Sequence, residues 1–143
     1  MSENKISYIT FVEHKNKNNY IYSLYSPLGD PAQKLRNLFK FRVFIKDTIA
    51  NFQPQVVIAS HWDSLAVCSS FSRSFKTLIY ENLDMPTGNK ITLSLLRLIE
   101  KFCLKKVDIT VFASRFFLPY YKSFRGKKII LENLIPDNFI KKL

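Results

Sequence analysis

Hydrophobic and polar positions along this chain follow two different periods. Short runs of apolar and β-branched residues lie at 6–12, 20–26, 55–60, 76–81, 108–113 and 127–132, and after the second run the intervening stretches carry apolar residues at helical spacing. The runs VVIAS, TLIYE, ITVFAS and KKIILEN are nearly continuous in such residues, as in strands buried on both faces of a parallel sheet. Regular alternation of strand and helix then predicts an α/β fold, a mostly parallel, Rossmann-like, doubly wound sheet with helices on both faces.

The helices can be placed from their stripes. Over 31–52, Pro31 follows Asp30 in an N-cap and first-turn arrangement, and Leu38, Phe41, Ile45, Ile49 and Phe52 recur at spacings of three and four until Pro54 stops the helix. A shorter, weaker helix is expected over 63–73, capped by Asp63 or Ser64. The stretch 91–106 shows a stripe through Ile91, Leu95, Leu98 and Phe102, which places Arg97, Glu100, Lys101 and Lys105 on the outer side. A last helix over 115–123 contains Pro119, which only a first turn tolerates.

The beginning departs from the pattern. The link between the first two runs, HKNKNNY with its flank, is too short for a parallel crossover, which needs roughly a dozen residues. Either the two strands form an antiparallel hairpin at the sheet edge or the chain starts part-way into a larger domain. The second is preferred, because the β-α-β unit that opens doubly wound domains is missing.

Composition narrows the chemistry. A chain of 143 residues, 47% hydrophobic, supports one domain with one core. Its formal charge of +11 favours anionic partners wherever the cations share a face. Five of them, Lys34, Arg36, Lys40, Arg42 and Lys46, fall in thirteen residues of the first helix with no acid between them, a pattern suited to anion or membrane-surface contact. Cys68 and Cys103 sit among apolar neighbours and read as reduced core thiols, and neither a secretion signal nor an apolar spanning segment is present, so a cytoplasmic location is expected.

Several functions are excluded. The glycines, Gly29, Gly88 and Gly126, are too far apart for a dinucleotide or Walker-type loop, so no nucleotide cofactor is expected. His14 and His61 provide no zinc spacing, there is no Cys-x-x-Cys, and no metal site is expected. The G-x-S-x-G elbow of a serine hydrolase is absent.

Two loops place polar groups where parallel sheets hold their ligands, at the carboxyl ends of strands. After VVIA comes SHWD, whose His61, Trp62 and Asp63 offer an imidazole, an aromatic platform and a carboxylate; a plainer reading makes Asp63 a helix cap and Trp62 a staple. After TLI comes YENLDMPTGNK, where Glu81 or Asp84 is suited to accept a proton as general base, or Asp84 simply satisfies loop amides.

Four stretches in order resemble the N-terminal, acceptor-side half of the group-1 (family-four) GT-B glycosyltransferases, especially bacterial enzymes of capsular and surface polysaccharide synthesis. FQPQVVIASHWD is similar to a K-P-D-V-I-H-A-H segment and LIYENLDMP to a strand ending in Y-x-x-H-D-x-P. LLRLIEKFCLKKVDITVFAS resembles a helix followed by A-D-x-x-x-x-x-S, and IILENLIPDNF resembles I-x-N-x-x-D-x-x-F, where such chains cross into a second domain. The resemblance implies catalysis by Asp84 and Glu81, acceptor contact by His61, Trp62 and Asn82, and membrane or anion contact by Lys34, Arg36, Lys40 and Arg42. It also implies a glycan or polyprenyl-linked acceptor, possible contact with the inner membrane surface, and a nucleotide sugar held by a C-terminal domain or partner subunit, so that the chain alone is inactive. The family's His before the Asp is Leu83 here, and Asp108 matches with a structural task expected of it.

A basic α/β domain binding nucleic acid is the alternative. Its motivation is the charge, but no helix-turn-helix, RRM-type or finger signature supports it, and the aromatics fall on strands rather than among the cations. A remnant that folds without activity is the third reading.

Overall fold

The structure, a computed structural model, describes residues 5–10, 20–25, 31–85 and 89–132. Strands β1 (Lys5–Thr10) and β2 (Tyr20–Tyr25) pair antiparallel with Lys5 opposite Tyr25, forming a two-stranded sheet of their own. The antiparallel pairing of the hairpin alternative is therefore present, but as a separate sheet and not at the edge of the main one. That sheet is all parallel in the order β3 (Val56–Ser60), β4 (Thr77–Asn82), β5 (Ile109–Phe112) and β6 (Lys127–Ile130). Three helical connections join its strands: α2 (His61–Ser69), α3 (Lys90–Cys103) and a 3-10 segment, Arg115–Tyr121. Helix α1 (Pro31–Phe52) precedes β3.

Local chemistry explains the boundaries. Helix α1 ends where Gln53 turns into the left-handed region at φ 47°, its amide still bonded to Ile49 O at 2.9 Å, and Pro54 follows. Helix α3 opens on Asn89, whose side chain accepts from the Thr92 amide at 2.8 Å. After β5 the chain forms a 3-10 segment rather than an α-helix, capped by Ser114 and with Pro119 inside. Asp108 joins three strands: its carboxylate accepts from Leu78 N at 2.8 Å, its amide donates to Leu78 O, and its carbonyl accepts from Lys127 N at 2.9 Å. The structural task expected of it is what it performs.

Burial varies from strand to strand across the sheet. Strands stepping in sequence order with right-handed crossovers put every connecting helix on the same side. Packing agrees, since α2 touches both α1 and α3. On the helix side Ala59, Leu78, Tyr80, Asn82, Thr110 and Phe112 are buried, whereas the alternate residues of β3, Val56 and Ile58, are 51% and 61% exposed. On that same face the residues of the inner strands, Ile79, Ile109 and Val111, are half-buried. KKII of β6 is likewise no interior strand: it forms the sheet edge, with Lys127, Lys128 and Ile130 exposed.

The largest departure concerns α3. Its stripe of Ile91, Leu95, Leu98 and Phe102 faces water, and Glu100, expected outside, is buried. The inward side is built from Leu93, Leu96, Glu100 and Cys103. Both stripes have helical spacing, and the buried polar anchor described below selects between them.

Candidate functional site

Strands β3 and β4 run side by side in the same direction, with Ser60 opposite Glu81, so the two predicted loops leave the sheet at one edge. The Ser60 hydroxyl donates to Glu81 Oε2 at 2.6 Å and binds the strand ends together. Ser60 is also the N-cap residue of α2, yet it makes no side-chain capping bond; its side chain is turned to Glu81. The helix starts two residues earlier than expected, so His61, Trp62 and Asp63 form its first turn. Asp63 accepts from the Ser64 amide at 2.8 Å inside the first turn, and because Ser60 is the N-cap, neither Asp63 nor Ser64 caps the helix as expected.

His61 occupies the left-handed region at φ 66°, at the sharp turn from strand to helix. This conformation costs a non-glycine residue roughly 1–2 kcal/mol, and such outliers collect where a side chain must be aimed. Its side chain is exposed, that of Trp62 half-buried, and Asp84 lies exposed in the loop after β4. The turn Pro86–Gly88 falls outside the described residues, as does the crossing to a second domain expected over 134–143. Asn82 differs from the others: its side chain is fully buried on the helix side, which leaves it no surface for acceptor contact. Arg36, Lys40 and Arg42 are exposed on α1 as expected, and the Lys34 side chain lies outside the description.

Beneath the helix layer lies a polar cluster that the sequence did not reveal. Tyr80 and Tyr121 both donate to Glu100 Oε1, at 2.8 and 2.6 Å, and the Asn82 amide donates to the Tyr121 hydroxyl. Burial pushes both phenols well above the usual tyrosine range, and the neighbouring Glu100 charge pushes them the same way. Glu100 and Tyr121 also line a cleft of about 630 Å³ between α3 and the 3-10 segment, together with Arg97, Lys101, Lys105 and Arg125. None of the predicted site residues borders this cleft. A signal existed in the sequence, since Glu100 is spaced four from Leu96 and three from Cys103, but the more apolar stripe concealed it.

No family model, curated protein or solved structure matches this chain. Among the described residues there is no group of three His, Cys, Asp or Glu side chains placed to hold a metal, and no helix is long and apolar enough to cross a membrane. What the fold establishes is a parallel α/β sheet with two polar loops at one strand edge.

Proposed function

We propose that this chain is the acceptor-side half of a glycosyltransferase that moves sugar from a nucleotide sugar to a glycan or lipid-linked acceptor. The observation that carries the reading is the edge where β3 and β4 end together, with His61 in a strained turn, Glu81 bonded to Ser60, and Asp84 exposed in the adjoining loop. In this reading Asp84 is the general base for the acceptor hydroxyl. Glu81, held by Ser60, orients the loop, and His61 contacts the acceptor or a donor phosphate beside Trp62. A C-terminal domain or partner subunit supplies the nucleotide-sugar site. The exposed Arg36, Lys40 and Arg42 of α1 approach anionic groups at the cytoplasmic face of the membrane.

Calorimetry with UDP- and GDP-sugars should detect no binding by the chain alone, and transfer should appear only when a donor-binding half is added. In that reconstituted enzyme Asp84→Asn should lower turnover by about a hundredfold or more with the fold intact. Micromolar nucleotide-sugar binding by the isolated chain, or an unchanged rate in Asp84→Asn, would overturn the assignment.

A further inference from the structure

The cleft between α3 and the 3-10 segment is a second polar site, lined by none of the polar residues of the strand-end loops. Its volume of about 630 Å³ falls within the range of small-molecule sites, roughly 300–1,000 Å³. Glu100 stands at its floor with one oxygen still to satisfy. Both phenols donate to Oε1, and Oε2 receives no hydrogen bond among the described residues. Nor is it sealed in, since the buried side-chain atoms without a partner are Asn82 Oδ1 and Thr110 Oγ1. Glu100 is 6% exposed and lines the cleft, so the cleft is where Oε2 meets solvent. A carboxylate oxygen only accepts, and its match in a ligand is a donor such as a hydroxyl or an ammonium.

The rim calls for the opposite charge. Arg97, Lys101, Lys105 and Arg125 line the cleft beside that single acid, a surplus of three positive charges. Two of these cations are engaged with rings, Arg97 at 5.1 Å from the Tyr120 centroid and Lys105 at 5.4 Å from that of Phe102. Lys101 on α3 and Arg125 across the cleft have no ion pair, hydrogen bond or ring partner among the described residues. The other acids of this region do not answer them: Glu132 is held by Arg115 at 2.8 Å, and the Asp108 carboxylate accepts from the Leu78 amide.

Solvated lysines and arginines are ordinary on a surface, but these two border a cavity whose floor presents an open carboxylate oxygen. A zwitterionic amino acid would satisfy the floor and leave the surplus charge unanswered. Inorganic phosphate would satisfy the rim and fill little of the cleft. A phosphate monoester carries nearly two negative charges at neutral pH, and on a hydroxylated carbon chain it matches both ends.

We propose that this cleft binds the phosphate monoester of a small polyol, with the phosphate between Lys101 and Arg125 and a hydroxyl donating to Glu100 Oε2. The site uses neither strand-end loop and does not depend on sugar transfer.

Calorimetry on the full chain tests it with sorbitol 6-phosphate, sorbitol and methyl phosphate. The ester should bind and sorbitol should not. Methyl phosphate has no hydroxyl for Glu100 and should bind about tenfold more weakly or worse, the usual scale of one hydrogen bond to a charged group. Lys101→Gln and Arg125→Gln should each weaken the ester about tenfold. Both positions are exposed, and circular dichroism and melting will confirm that the variants fold. Glu100→Gln keeps an acceptor for the phenols but turns an amide toward the cleft. It should weaken the ester about tenfold and leave methyl phosphate unchanged or tighter, a split that loss of the fold would not produce. No heat with the ester at millimolar concentration would overturn the proposal, as would equal affinity for the ester and methyl phosphate. Binding abolished by Arg36→Gln/Lys40→Gln on α1 but kept in Lys101→Gln/Arg125→Gln would overturn it too. UDP-glucose, which has no monoester, should not displace the ester, and displacement would count against the assignment.

Discussion

Replacing Glu100 probes the polar anchor that fixes the orientation of α3. In Glu100→Ala the phenols of Tyr80 and Tyr121, both almost fully buried, lose the oxygen to which they donate. A buried donor left unsatisfied costs roughly 1–3 kcal/mol, which gives about 2–6 kcal/mol for the pair. Part of this is returned, because Glu100 forms no ion pair among the described residues and its removal relieves the burial of a carboxylate. The expected net loss is about 2–4 kcal/mol, on the order of 5–15 °C in Tm for a domain of this size. Glu100→Gln retains a carbonyl acceptor for both hydroxyls and should cost less than about 1.5 kcal/mol. Urea unfolding followed by Trp62 fluorescence and circular dichroism measures both variants. If Ala and Gln are equally destabilising, the two phenolic hydrogen bonds do not hold the helix, and the argument for its outward stripe falls with them.

Alkaline pH should weaken the fold through the same tyrosines. Their pKa is raised on folding, so the contribution is complete below the unfolded value and is lost at about 1.4 kcal/mol per tyrosine for each pH unit above about 10. The urea midpoint should fall over that range, and a flat midpoint in the native chain would contradict the assignment. Burial pushes the Cys68 thiol up to about 12, so alkylation near neutral pH should follow global unfolding; rapid labelling of the folded chain would count against a core position. Gly126→Ala should cost roughly 1–3 kcal/mol in urea unfolding, since a Cβ there would stand 2.5 Å from the Asp108 carbonyl that accepts from Lys127 N; wild-type stability would show that this turn yields easily.

The sequence by itself determined the elements of this protein and their order. Apolar runs placed β3 to β6 within a residue or two, and the stripe and proline signals placed both ends of α1, because period and chain-breaking residues are local properties. It also located the strand-end loops, since successive parallel strands end at one edge. Tertiary structure alone decided which side of each element faces inward. The stripe of α3 through Ile91 and Phe102 is the more apolar one, yet the side carrying Glu100 is buried, because Tyr80 and Tyr121 approach it from elements 20 and 21 residues away in sequence. For the same reason Asn82 moved from the expected acceptor site into the core. Tertiary pairing likewise set the strand order and put β6 at an edge of the sheet, which periodicity along the chain does not report. Periodicity reports that a helix has a face to bury, and only the partners brought from elsewhere in the chain determine which face that is.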